Sequence, residues 1–179
     1  MSTVIRETRE TRVRVELQPG TGEATVDTGV PFLDHMLSTL ARTSGLDLAV
    51  HARGDLDHHT VEDVAIALGS ALSGLPRDRV VRYADRTVAM DDALVHAVLD
   101  LGTRAYYRGP LPSTRYDHWM RSFAIEARVT LHLRVLRGRD RHHIVEAAFK
   151  ALGLALREAL AESGAPASTK GTVSLEVRA

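Results

Sequence analysis

Apolar residues in this chain recur with two different periods. Val61, Val64, Ala65, Leu68 and Leu72 follow the i, i+3, i+4, i+7, i+11 spacing that gathers them on one face of a helix. Val145, Ala148, Phe149, Leu152 and Leu156 repeat that spacing further on. Ahead of each helix runs a segment of period two, "LDLAVHA" and "LHLRVLR", the pattern of a half-buried strand. Earlier still, "FLDHML" (Phe32–Leu37) is answered by "RYDHWM" (Arg115–Met120), and a strand pair precedes each: "RVRVELQPGTGEATVDT" and "ALVHAVLDLGTRAYYRG". The "PGTG" is a turn signal, and Pro31 suits the first position of a helix, where its missing N–H costs nothing. Each half therefore reads strand, turn, strand, helix, strand, helix. A sheet with helices on one face is expected for each, an α+β arrangement.

The halves are also alike residue by residue. With His58 set on His142, an offset of 84, nine of the fifteen positions from His58 to Leu72 are identical: His, His, Val, Glu, Ala, Leu, Gly, Ala, Leu. Two copies with so long a period indicate a duplication and not a solenoid. The expectation is one domain, 1–179, with an internal repeat of about 1–86 and 87–179 and no linker between the copies. The segment "ESGAPASTKG" (Glu162–Gly171) reads as a mobile C-terminal loop, and "TVSLEVRA" alternates after it.

Composition narrows the function classes. Lys+Arg and Asp+Glu number 23 each, which argues against a general nucleic-acid binder. Without cysteine there is neither a disulfide framework nor a thiolate metal site. The chain has no apolar run of membrane-spanning length, and its start, "MSTVIRETRETR", is not a signal peptide. A soluble, cytoplasmic protein is expected, with neither nucleic acid nor membrane as a partner.

Histidine supplies the chemistry. On a helix, Glu62 shares a face with His58 and His59, at four and three residues. The two histidines themselves diverge by roughly a hundred degrees, so one ion cannot easily take both. They would serve two ions or point to neighbouring subunits. His142, His143 and Glu146 repeat the geometry, and each copy adds one histidine on its other helix, His35 and His118. Six histidines and two carboxylates suffice for two sites of mixed imidazole and carboxylate ligands. The pattern is not HExxH, so a zinc peptidase is not indicated, and the strands leave no room for a four-helix di-iron protein. His51, His96 and His132 lie in strands and receive no role.

The blocks "GVPFLDHML", "GDLDHHTVEDVAIALG", "HHIVEAAFKALGLALREA" and "STKG" resemble the signature blocks of the imidazoleglycerol-phosphate dehydratases of histidine biosynthesis, from "RETRETRVRV" to "STKG". The resemblance implies two halves, each a four-stranded sheet backed by two helices, like ribosomal protein S5 domain 2. It implies twenty-four chains built of trimers and held by metal ions between subunits. The implied reaction removes water from imidazole glycerol phosphate to give imidazole acetol phosphate. The hydrogen lost lies on a carbon with no adjacent carbonyl, so the substrate's own ring must carry the charge. Two Mn(II) ions per active site, bound to the imidazole or imidazolate, would act as Lewis acids and template.

By the same resemblance the metal ligands are His35, His58, His59, Glu62, His118, His142, His143 and Glu146. The proton shuttle is Glu10, with the ligand carboxylates Glu62 and Glu146 as further acid–base candidates. Phosphate contacts map to Arg82, Arg104, Lys150, Ser168, Thr169 and Lys170, arginine as a fork and lysine as a point charge. Lys150 stands where the first copy has Ile66, as expected if only one half faces the phosphate. The chain departs from the family pattern at Thr39, Thr43 and Asp140, and in a short stretch before His58. Two rival readings use the same histidines: a dimetal hydrolase acting on a related phosphate, and a non-enzymatic metal-assembled shell.

Overall fold

In the computed structural model, residues 1–102 and 104–164 are described. The first half contains β1 (Ser2–Glu7), β2 (Thr11–Pro19), β3 (Ala24–Asp27), α1 (Pro31–Ser44), β4 (Leu46–Gly54) and α2 (Asp57–Ser73). The second contains β5 (Tyr83–Met90), β6 (Ala93–Asp100), β7 (Tyr106–Arg108), α3 (Thr114–Glu126), β8 (Thr130–Arg137) and α4 (Arg141–Ala159). Their sheets have the same topology: order β1-β2-β4-β3 in one and β5-β6-β8-β7 in the other. In each, three strands are antiparallel and the short fourth, β3 or β7, runs parallel to its neighbour.

Alternation decides which sheet face is covered. Val13, Val15 and Leu17 of β2 and Leu48, Val50 and Ala52 of β4 are buried, while Arg12, Arg14, His51 and Arg53 point outward. Helices α1 and α2 cover the first sheet, α3 and α4 the second. The helices then meet each other across the halves, α1 against α4 and α2 against α3. The result is four layers, sheet, helices, helices, sheet, with the core on both sides of the helical seam. Trp119, Phe123 and Phe149 are fully buried there, the Trp119 and Phe149 ring centroids 4.6 Å apart.

Two glycines set how closely the halves approach. A Cβ on Gly69 of α2 would lie 2.6 Å from the Phe123 carbonyl oxygen and 2.9 Å from the Ala127 nitrogen at the end of α3. A Cβ on Gly153 of α4 would collide with the Thr43 hydroxyl and lie 3.1 Å from the Leu40 carbonyl oxygen of α1. These glycines occupy equivalent places in the repeated "ALG", so one device closes both crossings.

Two strands were not evident in the apolar pattern. β1 and β5 are edge strands that, apart from buried Ala84, alternate between half-buried and exposed positions, so their hydrophobic signal is weak. They complete the four strands per half. The division expected at about residues 86 and 87 falls inside β5; the sheets part earlier, between Ser73 and Tyr83. The C-terminal segment, including Ser168, Thr169 and Lys170, lies outside the described residues.

Candidate metal centre

Both His-His-x-x-Glu segments open a helix. Asp140 caps α4, its carboxylate accepting from the His142 backbone N–H at 2.7 Å. The first turn of each helix thus carries two histidines, and the next turn holds the glutamate on one face with the first of them. His142 Nε2 lies 3.3 Å from Glu146 Oε2, and His58 Nε2 lies 3.9 Å from Glu62 Oε2.

The third ligand of each group comes from the opposite half. His35 on α1 brings Nε2 to 3.5 Å from Glu146 Oε2. His118 on α3 brings Nε2 to 3.4 Å from Glu62 Oε1. The clusters are therefore His35, His142, Glu146 and His58, Glu62, His118, each with its donor atoms within 4.8 Å of one another. Two imidazoles and one carboxylate, without thiolate, suit a divalent ion that accepts mixed nitrogen and oxygen ligands.

The clusters differ in their carboxylates. Glu146 is buried, its side chain 8% exposed, and Lys150 Nζ lies 2.9 Å from Oε1. Glu62 is 36% exposed. Burial pushes the Glu146 carboxyl upward, but Lys150 and His35 outweigh it and hold the group below its ordinary value.

His59 and His143 point away from both clusters. Asp55 Oδ1 lies 2.8 Å from His59 Nδ1, and Asp92 Oδ1 lies 2.8 Å from His143 Nδ1. Those hydrogen bonds raise both imidazoles above their usual pKa. The His143 contact, with backbone N–H donors of Arg139 and Asp140, draws Asp92 down to about 2. The Asp92 bond engages His143 Nδ1, the usual role of a carboxylate behind a metal-binding histidine, while Asp91 Oδ2 lies 3.3 Å from Nε2. The apolar pattern did not single out either aspartate. Asp55 was legible, four residues before His59; Asp92 reaches His143 from the β5–β6 turn, 51 residues away.

Glu10 sits in the β1–β2 turn with Oε2 3.6 Å from His59 Nδ1. Thr8 Oγ1 accepts from the Glu10 and Thr11 backbone N–H groups at 3.1 and 2.9 Å, and the Glu10 carbonyl accepts from Asp55 at 3.0 Å. Buried Asp63, beside Glu62 on α2, accepts from Arg6 and Thr11 and ties this turn to the helix.

The phosphate candidates separate. Lys150 stands at the Glu146 cluster. Arg82, in a left-handed backbone conformation (φ 76°), donates its own N–H to the Ala159 carbonyl and its Nε to Asp100 at 2.7 Å. Lys150 and Ala159 are nine residues apart on α4, about 14 Å at 1.5 Å per residue. Arg104 is exposed, its carbonyl accepting from Thr130 at the start of β8. Within one chain, Arg82 is engaged by Asp100 and Lys150 by Glu146.

Comparison with known proteins adds an independent line. Residues 28–156 match the family model described as imidazoleglycerol-phosphate dehydratase. The imidazoleglycerol-phosphate dehydratase of Desulforudis audaxviator is 48% identical over 190 aligned positions, covering 96% of each chain. That of Pyrobaculum calidifontis is 50% identical over 184, covering 94% of this chain and 97% of the relative. The crystal structure of the dehydratase from Pyrococcus furiosus superposes with a TM-score of 0.84 at 37% identity, over 95% of this chain and all of that one. The Staphylococcus aureus enzyme gives 0.82 at 31% identity, over 90% of this chain and 99% of that one.

Proposed function

The chain belongs to the imidazoleglycerol-phosphate dehydratase family, hydro-lyases of histidine biosynthesis, and on that premise we propose that it dehydrates imidazole glycerol phosphate with two divalent metal ions, Mn(II) by resemblance. The observation that carries the metal part is the pair of matched imidazole–carboxylate clusters, each assembled from both halves of the chain. His35, His142 and Glu146 would hold one ion, and His58, Glu62 and His118 the other. Bound there, the ions supply Lewis acidity toward the substrate's imidazole nitrogens and fix the ring's orientation.

The chain's own groups supply the rest. Glu10 Oε2, held at the tip of the β1–β2 turn, accepts the proton from the substrate carbon and returns it to the departing hydroxyl. Asp55 and Asp92 orient the rings of His59 and His143. Because those two rings face away from their own chain's clusters, we assign them to clusters of neighbouring chains. This is consistent with a cytoplasmic assembly of twenty-four chains built of trimers. No helix among the described residues is long and apolar enough to cross a membrane.

The decisive experiment is turnover of imidazole glycerol phosphate with and without added Mn(II). Turnover that depends on the ion is expected. Full activity in exhaustively chelated protein would remove the metal from the reading, and no turnover under any metal would favour the hydrolase or the shell.

A further inference from the structure

The two clusters are built from repeated sequence, yet their carboxylates are engaged differently. Glu62 divides its oxygens between its histidines: Oε2 lies 3.9 Å from His58 and Oε1 3.4 Å from His118. Glu146 turns one oxygen, Oε2, to both of its histidines, at 3.5 and 3.3 Å. Its other oxygen, Oε1, is held by the Lys150 ammonium at 2.9 Å. At the place equivalent to Lys150 the first copy has Ile66, which carries no charge. Beside the other cluster, Arg115 at the start of α3 lies 3.6 Å from Asp57 and is offset by it. The carboxylates flanking the outward histidines are balanced: Asp55 and Glu10 beside His59, Asp92 and Asp91 beside His143. Among the groups in contact with the two glutamates, the Lys150 ammonium is the one without a counterpart at the other cluster.

We propose that the two ion sites have unequal affinity, the Glu146 site being the weaker because Lys150 occupies one carboxylate oxygen and places a positive charge beside the incoming cation. This rests on the two-ion reading above and goes beyond it by ranking the sites. Repulsion between a single and a double charge a few ångströms apart, even when screened by water, weakens binding by about tenfold or more. The Glu62 site then keeps its ion when divalent metal is scarce. The Glu146 site fills only at higher free metal, so metal supply acts through that cluster.

The test starts from protein loaded with Mn(II) and dialysed to equilibrium against a falling series of free Mn(II), with bound manganese per chain measured by atomic absorption. Two steps are expected, about tenfold or more apart. Glu62→Gln should abolish the step at low Mn(II), and Glu146→Gln the step at high Mn(II). Lys150→Ile should move the weak step toward the tight one, and Lys150→Met, which keeps the side-chain length beside Met90, should do the same if the isoleucine variant folds poorly. Lys150→Arg, keeping the charge, should leave the steps apart. A single two-ion step in the wild type, or steps unmoved in both neutral variants, overturns the proposal while leaving two bound ions intact. Protein that takes up no manganese at any concentration overturns the two-ion reading itself.

Discussion

His35 Nε2 lies 3.5 Å from Glu146 Oε2, although one residue belongs to the first half of the chain and the other to the second. His118 and Glu62 stand in the reciprocal relation at 3.4 Å. Neither half holds a complete three-ligand cluster by itself, so the candidate chemistry depends on the seam between the helical layers.

That dependence makes the seam glycines sensitive. Gly69→Ala sets a methyl against two backbone atoms of α3 and its end, neither of which can swing aside. A loss of about 1–3 kcal/mol is expected, the scale of overpacking, measured as a lower denaturation midpoint. The α2–α3 crossing should open, and the His58, Glu62, His118 cluster should hold its ion more weakly than in the wild type. Metal content unchanged at both clusters would mean the crossing absorbs the methyl elsewhere.

Removing metal should change particle size as well as activity. With His59 and His143 assigned to clusters of neighbouring chains, chelation withdraws cross-links, and size-exclusion chromatography should report a smaller particle. A particle of unchanged mass after complete removal would put every ion inside single chains.

Glu10→Gln isolates the proton transfer. Glutamine is nearly isosteric, and the turn is held by Thr8 and Asp55 through the backbone, which the substitution leaves alone. Turnover should fall by roughly two to four orders of magnitude, with manganese content, particle size and substrate binding retained. More than about a tenth of wild-type turnover would move the role to another carboxylate.

Asp47 gives a prediction in pH. Its Oδ1 accepts from the backbone N–H groups of Thr21, Gly22 and Glu23 at 2.9, 3.0 and 3.0 Å. The bonds from Thr21 and Glu23 foremost hold its pKa below the model-compound value of 3.8. A carboxyl lowered in the folded state stabilises it above that value, and the contribution is lost as pH falls through the folded pKa. Asp47→Ala should melt at a lower temperature than wild type at neutral pH, and the difference should shrink below about pH 4. A gap that stays constant down to pH 2 would show that the charge is not what holds the turn.

Much of this arrangement was present in the order of residues. The helical period alone brings His58 to Glu62 and His142 to Glu146, because residues four apart share a face wherever the helix is placed. The same period turns His59 and His143 away, and a matching offset of 84 identifies the duplication. Strands β4 and β8 were legible because one face of each is buried; β1 and β5 were not, because edge positions are only partly covered. The tertiary structure decided which helix faces which. Spacing along the chain does not say whether His35 joins the glutamate of α2 or of α4; α1 lies against α4, at a distance set by Gly153, and so it joins Glu146. Nor could sequence place Asp92 behind His143 or Arg82 at the far end of α4, since each follows from strands and turns brought together over many residues. Periodicity is a local property of the backbone and can be read from the chain. The choice of partners across a seam is made by packing, which no single segment contains.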